Sequence, residues 1–454
     1  MPDDRPPVGA EGRRLRIGCG AGFAGDRIDP ARDLAERGAL DFLFFECLAE
    51  RTLAQSHVAR RADPAAGFNP QLEQRFAAVL PGCRANGTRI VTNMGAANPA
   101  GAGRALAAAA RRDGMAGLAI AVLEGDDVLA ALDPEMRVET GERLADLPPP
   151  VGANAYLGAE ALLPALETGA EVVISGRVAD PSLVVAPLAQ AFGWRLDDWD
   201  RIAAATLVGH LLECSCQVTG GYFADPGRKD VAGLAEIGFP LAEVRADGTA
   251  VVTKLPGTGG CVTELTVKEQ LLYEVHDPAR YLTPDVTADF GGVTVGREAP
   301  DRVAPAGARG RARPARLKVT LGFDGGYLAE AGIGYAGAGA AARARLAGEI
   351  VRERMTRRHG FAGPIRTDLV GVSSLLATAR PGEGGEARDV RLRMALRSSD
   401  RALCEALLAE MEAIWIAGPA GGGGVRGRIT PSVTTRSLFL DRASVRPRVE
   451  VIEA

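Results

Sequence analysis

The stretch Arg16-Ile-Gly-Cys-Gly-Ala-Gly-Phe-Ala-Gly-Asp26 is a glycine-rich loop that ends a predicted strand and precedes a predicted helix. Glycines lack a Cβ atom, so such a loop can turn sharply and approach a phosphate closely. Gly20, Gly22 and Gly25 fit the dinucleotide-binding pattern G-x-G-x-x-G, and Glu46 lies where that pattern places a ribose-binding carboxylate. The loop therefore predicts an α/β fold with a ligand site at this strand end.

Two features of the same loop argue against a dinucleotide. The third glycine of a Rossmann loop packs within the first turn of the helix, but here Asp26-Arg-Ile-Asp-Pro30 intervenes. Pro30 suits the first helical turn with Asp29 as its cap, and the Asp26 carboxylate would repel a pyrophosphate. We therefore do not favour a redox cofactor, and we keep an NAD(P)-dependent oxidoreductase as an alternative function.

The first half of the chain alternates apolar strand patterns with helix patterns. Phe42-Leu-Phe-Phe-Glu46 is typical of a strand buried on both faces. In the second half, Ala242–Thr253 indicates a hairpin with Asp247-Gly248 as its turn. The order predicts an α/β fold, in which a doubly wound, mostly parallel sheet precedes a second α+β domain with a mixed or antiparallel sheet. The predicted bounds are a disordered tail at 1–13, the parallel domain at 14–228, the α+β domain at 229–440 and a C-terminal tail at 441–454.

Polar residues, usually beside glycine, follow five successive predicted strands. Ligands of parallel α/β sheets bind at the carboxyl ends of the strands, so we expect these residues to line one crevice. Each alone could be a helix cap, as Asn98 and Asp180 before prolines illustrate. Catalytic acid–base roles are predicted for Asp26, Glu46 and Asp126. Substrate-binding roles are predicted for Gly20, Gly22, Gly25, Asn93, Asn154, Arg177 and Asp180. The planar fork of Arg177 suits a substrate carboxylate.

His210 and Glu213 are the best acid–base pair outside the strand ends. They are three residues apart on a predicted helix, so they share a helix face. Glu213 would orient the imidazole of His210, which would act as the general base. A purely structural pair and a shared metal are the alternatives, and we assign no metal-binding residue.

Two further glycine clusters lie in the second half. Lys254-Leu-Pro-Gly-Thr-Gly-Gly260 precedes a predicted helix, and Lys254, Thr258 and Gly259 are predicted to bind a carboxylate or phosphate. A tight turn without a ligand is the alternative. Gly418-Pro-Ala-Gly-Gly-Gly-Gly-Val-Arg426 follows a helix, where part of it forms a C-cap and the rest is a candidate phosphate loop.

Composition excludes several classes of partner. The net charge of −4 gives no electrostatic basis for binding nucleic acid or an anionic membrane. No segment approaches the roughly 18 uninterrupted apolar residues of a membrane span. The acidic start has no apolar run before Leu15, so we expect no secretory signal. The seven scattered cysteines suit a reducing compartment, so we expect a cytoplasmic protein.

Taken together, the motifs resemble those of the acyclic terpene utilisation family, AtuA. The resemblance covers nearly the whole chain, from about Arg14 to Gly424. The stretches that carry it are Arg16–Asp26, Phe42–Glu50, Gly125-Asp-Asp127, Gly152–Gly158, Ser175-Gly-Arg-Val-Ala-Asp180, Gly209–Cys214, Val218-Thr-Gly-Gly221, Pro256–Gly260, Val267–Tyr273 and Asp277–Val286. So many motifs in one order make the resemblance specific.

The resemblance implies a cytoplasmic protein associated with breakdown of citronellol- and geraniol-type terpenes, alongside acyl-CoA carboxylases, hydratases and lyases. It supplies no catalytic residue, so the site residues rest on the strand-end argument. We expect a hydratase, dehydratase or carbon–carbon lyase that acts on a small carboxylic acid or its CoA thioester. We also expect a homo-oligomer, together with a small partner subunit. A non-catalytic ligand-binding subunit of a larger complex is the alternative.

Overall fold

The computed structural model describes residues 14–375 and 387–454. The predicted disordered tail at 1–13 lies outside the described residues. Two compact units divide the chain: one extends up to Gly322 and includes Thr435–Ala454, and the other is Phe323–Thr434.

The elements follow one another in a regular α/β order through the first half. The strands are β1 (Arg14–Ala21), β2 (Phe42–Phe45), β3 (Arg89–Thr92), β4 (Ala119–Glu124), β5 (Gly152–Ala155), β6 (Val172–Ser175), β7 (Pro240–Arg245), β8 (Ala250–Lys254), β9 (Tyr281–Leu282), β10 (Thr287–Asp289), β11 (Thr294–Ala299), β12 (Arg302–Ala306), β13 (Arg309–Arg311), β14 (Arg316–Ala336), β15 (Ile365–Val370), β16 (Asp389–Ser398), β17 (Gly422–Asp441) and β18 (Arg448–Glu453). The α-helices are α1 (Asp29–Arg37), α2 (Glu50–Ala62), α3 (Leu72–Asn86), α4 (Pro99–Arg112), α5 (Ala159–Glu167), α6 (Ser182–Phe192), α7 (Trp199–Leu212), α8 (Glu264–Leu272), α9 (Ala340–His359) and α10 (Arg401–Ala417).

The first unit is built on a ten-stranded sheet with the order β11-β12-β8-β7-β1-β2-β3-β6-β4-β18. Its five central strands, β1, β2, β3, β6 and β4, run parallel. All of Phe42–Phe45 is buried, as expected for a strand covered on both faces. The flanking strands are antiparallel to their neighbours. The α/β prediction is therefore confirmed, with a mixed sheet around a parallel centre.

Helices cover the two faces of this sheet. One hydrophobic cluster joins Phe45 of β2 and Ile90 of β3 to Leu34 of α1, Phe76 of α3 and Leu106 of α4. Side chains of a strand alternate between faces, and the intervening side chains of these strands are buried as well. Helix α6 contacts β2, α5 contacts β4, and α5, α6 and α7 pack on one another in sequence order. Burial on both faces explains the uninterrupted apolar strands.

The second half of the chain also contributes to this sheet, so the compact units have other bounds than the predicted domains. β7 and β8 form the predicted hairpin, with φ of +89° at Gly248 in its turn, and β7 pairs with β1. Residues 441–454, expected to be a tail, include β18, which pairs with β4. The sequence analysis predicts the β7–β8 hairpin but not β18, and the edge of the sheet that each joins depends on tertiary packing.

The second unit is built on four strands of a five-stranded sheet, in the order β15-β16-β14-β17, with two helices packed against them. β16 is antiparallel to both β14 and β15. Val351 and Met355 of α9 and Leu407 and Met411 of α10 share a core with Leu392 of β16. The helices therefore cover one face of the sheet.

Candidate functional site

The parallel strands bring four of the predicted polar strand ends together at one edge of the sheet. Asn93, after β3, donates from Nδ2 to Oε1 of Glu46, after β2, over 3.0 Å. Asp126, after β4, accepts the main-chain N–H of Arg177, after β6, over 2.7 Å. Arg177 Nη1 lies 2.8 Å from Asp180 Oδ1 and 4.0 Å from Glu46 Oε1. These side chains form one network, as expected from strand ends that share an edge.

Glu46 is a buried carboxyl group held by hydrogen-bond donors. Its Oε1 also accepts the main-chain N–H of Leu48 over 2.8 Å. Burial raises the pKa of Glu46 to about 8; the charge of Asp180 adds to this rise, and Arg177 opposes it. Glu46 therefore carries a proton at neutral pH and is suited to donate one.

Asp126 belongs to a chain of buried polar side chains. Asn154 donates from Nδ2 to Asp126 Oδ2 over 2.8 Å, and its Oδ1 lies 2.6 Å from His57 Nε2. Burial raises the pKa of Asp126 to about 6 and lowers the pKa of His57. The neutral imidazole of His57 donates to the amide oxygen, so Asn154 directs its own amide donor at Asp126. His57 was not predicted as part of the site.

The glycine loop that opens the chain is closed by contacts within the protein. Asp26 Oδ2 accepts the main-chain N–H of Gly22 over 2.9 Å and the hydroxyl of Ser215 over 2.6 Å. A Cβ atom at Gly22 would lie 2.6 Å from the carbonyl carbon of Cys214, and one at Gly20 would collide with a phenylalanine ring. Protein backbone therefore occupies the space that a pyrophosphate needs at Gly22. The observed contacts of Asp26 stabilise the loop. Ligand binding by the loop stays a prediction for Gly20, Gly22 and Gly25, and so does catalysis by Asp26.

The candidate helix caps differ in outcome. The Asp29 prediction is wrong, because α1 begins at Asp29 itself and Ile28 is its N-cap residue. Asn98 is the N-cap of α4 and accepts the main-chain N–H of Gly101 over 3.0 Å. Helix α6 begins at Ser182 with Pro181 as its N-cap residue. Asp180 instead turns toward Arg177, so the capping alternative describes Asn98 and not Asp180.

Arg177 is held on several sides. Its guanidinium donates to the main-chain oxygen of Leu48, pairs with Asp180 and lies 4.0 Å from the centre of the Tyr156 ring. Burial works against its charge, but neighbouring carboxylates, Asp180 foremost, raise the pKa of Arg177 further above its usual range. Within the described residues, its Nε is buried and has no hydrogen-bond partner. Binding of a substrate carboxylate by Arg177 stays a prediction, while its observed effect is to position Asp180.

A cavity of about 540 Å³ opens beside Asp180. Its polar lining side chains include Tyr156, Asp180, Tyr281 and Lys318. The rest of the wall is mostly apolar and includes Ala179, Pro181, Leu282, Pro284, Pro314, Ala315, Leu317 and Phe439. A small organic ligand fits a cavity of this size, and a few polar groups in an apolar wall are typical of ligand sites.

Lys318, which lines this cavity, pairs with the carboxylate of Glu50. Lys318 Nζ donates to Glu50 Oε1 over 2.9 Å, and the Tyr156 hydroxyl donates to the same oxygen. Burial disfavours the Glu50 carboxylate, but Tyr156, Arg177 and Lys318 outweigh it and lower its pKa to about 2. Burial likewise disfavours the Lys318 ammonium, but Tyr156 and Glu50 raise its pKa. Both groups are therefore ionised at neutral pH.

His210 and Glu213 form a buried pair, and His210 packs on Tyr281, which lines the cavity. His210 Nδ1 is 2.9 Å from Glu213 Oε1, and its ring packs on Tyr281 with centroids 5.2 Å apart. Burial opposes the His210 charge, but the hydrogen bond with Glu213 outweighs it and raises the pKa of His210. Burial raises the pKa of Glu213 to about 7, and Glu213 Oε2 has no hydrogen-bond partner in the described part of the chain. Tyr281 lines the cavity, whereas His210 and Glu213 are not among its lining residues, and the catalytic role of the pair stays a prediction.

The second glycine cluster forms a separate, closed turn. Lys254 Nζ donates to the main-chain oxygen of Thr258 over 2.8 Å and lies 3.4 Å from Asp301 Oδ2. Gly259 donates its N–H to Glu236 over 2.7 Å, and a Cβ atom there would collide with Gly233. These contacts are typical of a tight turn without a ligand, which was the alternative interpretation. Ligand binding by Lys254, Thr258 and Gly259 stays a prediction.

Lys318 and Glu50 were not among the predicted site residues, and neither were Tyr156 and Tyr281. Glu50 and both tyrosines lie in motifs of the resemblance, so a signal existed for these three. Lys318 had none, because it comes from a distant strand, β14, which pairs with β5 and not with the central sheet.

The described residues contain no group of three or more His, Cys, Asp or Glu side chains placed to hold a metal ion. No helix within 14–375 or 387–454 is long and apolar enough to cross a membrane.

Comparison with known proteins identifies the family. Searches of curated proteins and of solved structures gave no match. The model of the acyclic terpene utilisation family protein AtuA matches residues 15–451, nearly the whole chain. This match agrees with the motifs along the sequence. The chain therefore belongs to the acyclic terpene utilisation family AtuA.

Proposed function

We propose that the protein is an acid–base lyase that acts on a small branched carboxylic acid or its CoA thioester. It would add or remove water, or cleave a carbon–carbon bond. The observation that carries this proposal is that Asp180 and Lys318 line the same mostly apolar cavity. A carboxylate can accept a proton there while an ammonium stabilises a developing oxyanion.

Asp180 is the proposed base. Burial raises its pKa, although the neighbouring Arg177 opposes this rise. A raised pKa makes a carboxylate a better proton acceptor. Arg177 holds Asp180 through a 2.8 Å ion pair and so fixes the direction of the carboxylate. Lys318, on β14, would hold the carbonyl or carboxylate oxygen of the substrate.

The same two groups serve either reaction. In a dehydration, Asp180 takes the proton beside the carbonyl and passes it to the β-hydroxyl, which leaves as water. In a carbon–carbon cleavage, Asp180 takes the proton of the β-hydroxyl, and the electron pair of the broken bond passes to the carbon beside the carbonyl. Both place negative charge on the carbonyl oxygen, where Lys318 would stabilise it. The apolar wall suits a branched hydrocarbon chain.

The proposal is tested by proton NMR of branched 3-hydroxy and 2-enoyl acids, free and as CoA thioesters, incubated with the protein in D₂O. We expect exchange of the proton beside the carbonyl, or turnover, with at least one form. Asp180→Asn should reduce this rate about 10²-fold or more while ligand binding remains, as removal of a general base does. Lys318→Met should weaken binding.

Asp113→Asn, at the exposed end of α4, is the matched control and should retain the wild-type rate. If no form shows exchange or turnover, with or without a divalent metal, the lyase proposal is refuted. Equal loss of rate in Asp113→Asn and Asp180→Asn would refute the role of Asp180.

A non-catalytic ligand-binding subunit is the second candidate. It is favoured by the Arg177–Asp180 ion pair, which engages one oxygen of the proposed base. The test is capture of a partner enzyme from cells grown on the substrate. If the chain is such a subunit, the activity of the partner enzyme would require this chain, and Asp180→Asn would leave the partner's activity intact. For either candidate function, we also propose a cytoplasmic location, a homo-oligomer and a small partner subunit. We expect that the protein binds neither nucleic acid nor a membrane.

A further inference from the structure

The second unit carries an arginine-lined cavity that the proposed function does not use. The cavity has a volume of about 250 Å³ and includes residues of β14, β15, β16 and β17. Its lining arginines are Arg391, Arg393, Arg426 and Arg428. Val390, Leu392 and Met394 of β16 point into the core with the helices, so the arginines between them lie on the opposite face.

Part of the positive charge at this cavity is neutralised. Asp368 Oδ2 accepts from Arg393 Nη1 over 2.6 Å, and Arg366 Nε lies 3.0 Å from Asp368 Oδ1. Glu330 accepts from Arg393 and from Arg428, the latter over 2.9 Å. Two carboxylates therefore serve these three arginines in an alternating row across the four strands.

Arg391 and Arg426 remain without such compensation. Arg391 donates to the main-chain oxygens of Gly424 and Gly332 over 3.3 and 3.2 Å. Arg426 donates to the main-chain oxygen of Val425 over 2.7 Å. Among the described residues, no carboxylate forms an ion pair with either. Main-chain oxygens carry no net charge, so both guanidinium charges are available to an anion.

A glycine, Gly332, lies in the backbone next to the side chain of Arg391. A Cβ atom at Gly332 would lie 3.0 Å from Arg391 Nε and 2.7 Å from a main-chain oxygen. Gly332 therefore gives Arg391 room to lie against the backbone, whereas a Cβ atom at Gly427 would meet Leu408 of α10. The cavity of about 250 Å³ beside these arginines has space for a compact, highly charged group.

We infer that this cavity binds a phosphate-bearing anion about the size of a pyrophosphate group. The planar fork of arginine matches phosphate oxygens bidentately, and two uncompensated arginines supply a charge opposite to that of a pyrophosphate. The third glycine cluster of the sequence leads into this site, since Gly424 accepts from Arg391. The site lies in the second unit, whereas the catalytic proposal concerns only the first.

The test is isothermal titration of the full chain with inorganic pyrophosphate at low ionic strength, with orthophosphate in parallel. We expect saturable binding that is tighter for pyrophosphate and that weakens as salt screens the charges. The double variant Arg391→Gln/Arg426→Gln should weaken binding about tenfold or more, because it removes two charge-assisted contacts. Arg345→Gln, which removes an exposed charge from α9, is the matched control and should bind like the wild type.

Unchanged thermal unfolding of the double variant would show that loss of binding is not loss of fold. Absence of saturable pyrophosphate binding would overturn the inference. Equal weakening by Arg345→Gln would also overturn it, because binding would then depend on overall charge and not on this cavity. A short single-stranded oligonucleotide distinguishes the source of the phosphate: binding far tighter than that of pyrophosphate would overturn the small-ligand assignment.

Discussion

Replacement of Glu46 by glutamine should make the first unit more stable at alkaline pH than the wild type. Glutamine imitates the protonated carboxyl, and its amide oxygen can accept from Leu48 and Asn93 as Glu46 Oε1 does. Burial raises the pKa of Glu46 from 4.5 to about 8, so the folded protein retains this proton while the unfolded chain loses it. The contribution of protonated Glu46 to the free energy of unfolding is complete below about pH 4.5. It is lost as pH rises from there through about 8.

The size of the effect follows from the pKa difference. Each unit is about 1.4 kcal/mol, so the wild type loses at most about 4–5 kcal/mol from this group across the window. Glu46→Gln has no such proton to lose. The variant and the wild type should therefore agree within about 1 kcal/mol at pH 5 and separate by up to about 4 kcal/mol at pH 9, the variant being more stable.

Urea unfolding at pH 5, 7 and 9 measures this difference by tryptophan fluorescence. Trp415 belongs to the second unit and is exposed, so a Trp415→Phe background leaves Trp194 and Trp199 as reporters of the first. Glu412→Gln, on the exposed surface of α10, is the control and should follow the wild type at each pH. A difference between Glu46→Gln and the wild type that is the same at pH 5 and pH 9 would show the reasoning to be wrong.

Two further substitutions test how the site is supported. Gly22→Ala should lower the free energy of unfolding by about 1–3 kcal/mol, because its Cβ atom would meet the backbone of Cys214 at 2.6 Å. Gly423→Ala is the control: no atom lies within 4 Å of the added Cβ, so this variant should lose less than about 1 kcal/mol. Urea unfolding measures both variants, and similar losses of stability in the two would contradict the packing argument. Asp285→Ala should cost about 1–3 kcal/mol, because it removes the acceptor for a main-chain N–H of α5 at 2.7 Å and for a hydroxyl of α6 at 2.5 Å. A variant as stable as the wild type in urea unfolding would show that these buried bonds contribute little.

The amino-acid sequence by itself determined the parallel centre of the first unit and the edge at which its polar residues meet. A continuous apolar strand such as Phe42–Phe45 requires cover on both faces, and parallel strands so covered end at a common edge. That local pattern is sufficient to bring Glu46, Asn93, Asp126 and Asp180 to the same end of the sheet. The family could also be read from the motifs, because their order survives without knowledge of contacts.

Only the tertiary structure decided what these residues do for one another. Lys318 reaches the cavity because β14 pairs with β5, a contact between segments more than 150 residues apart that no local periodicity encodes. The glycine loop is filled by the segment at Cys214, and Asp26 holds that segment through Ser215. Strand patterns report which face of a segment is apolar, but the partner of that face is chosen by packing across the whole chain. For the same reason, the charge of Asp180 depends on Arg177 and on burial, which exist only once the chain is folded.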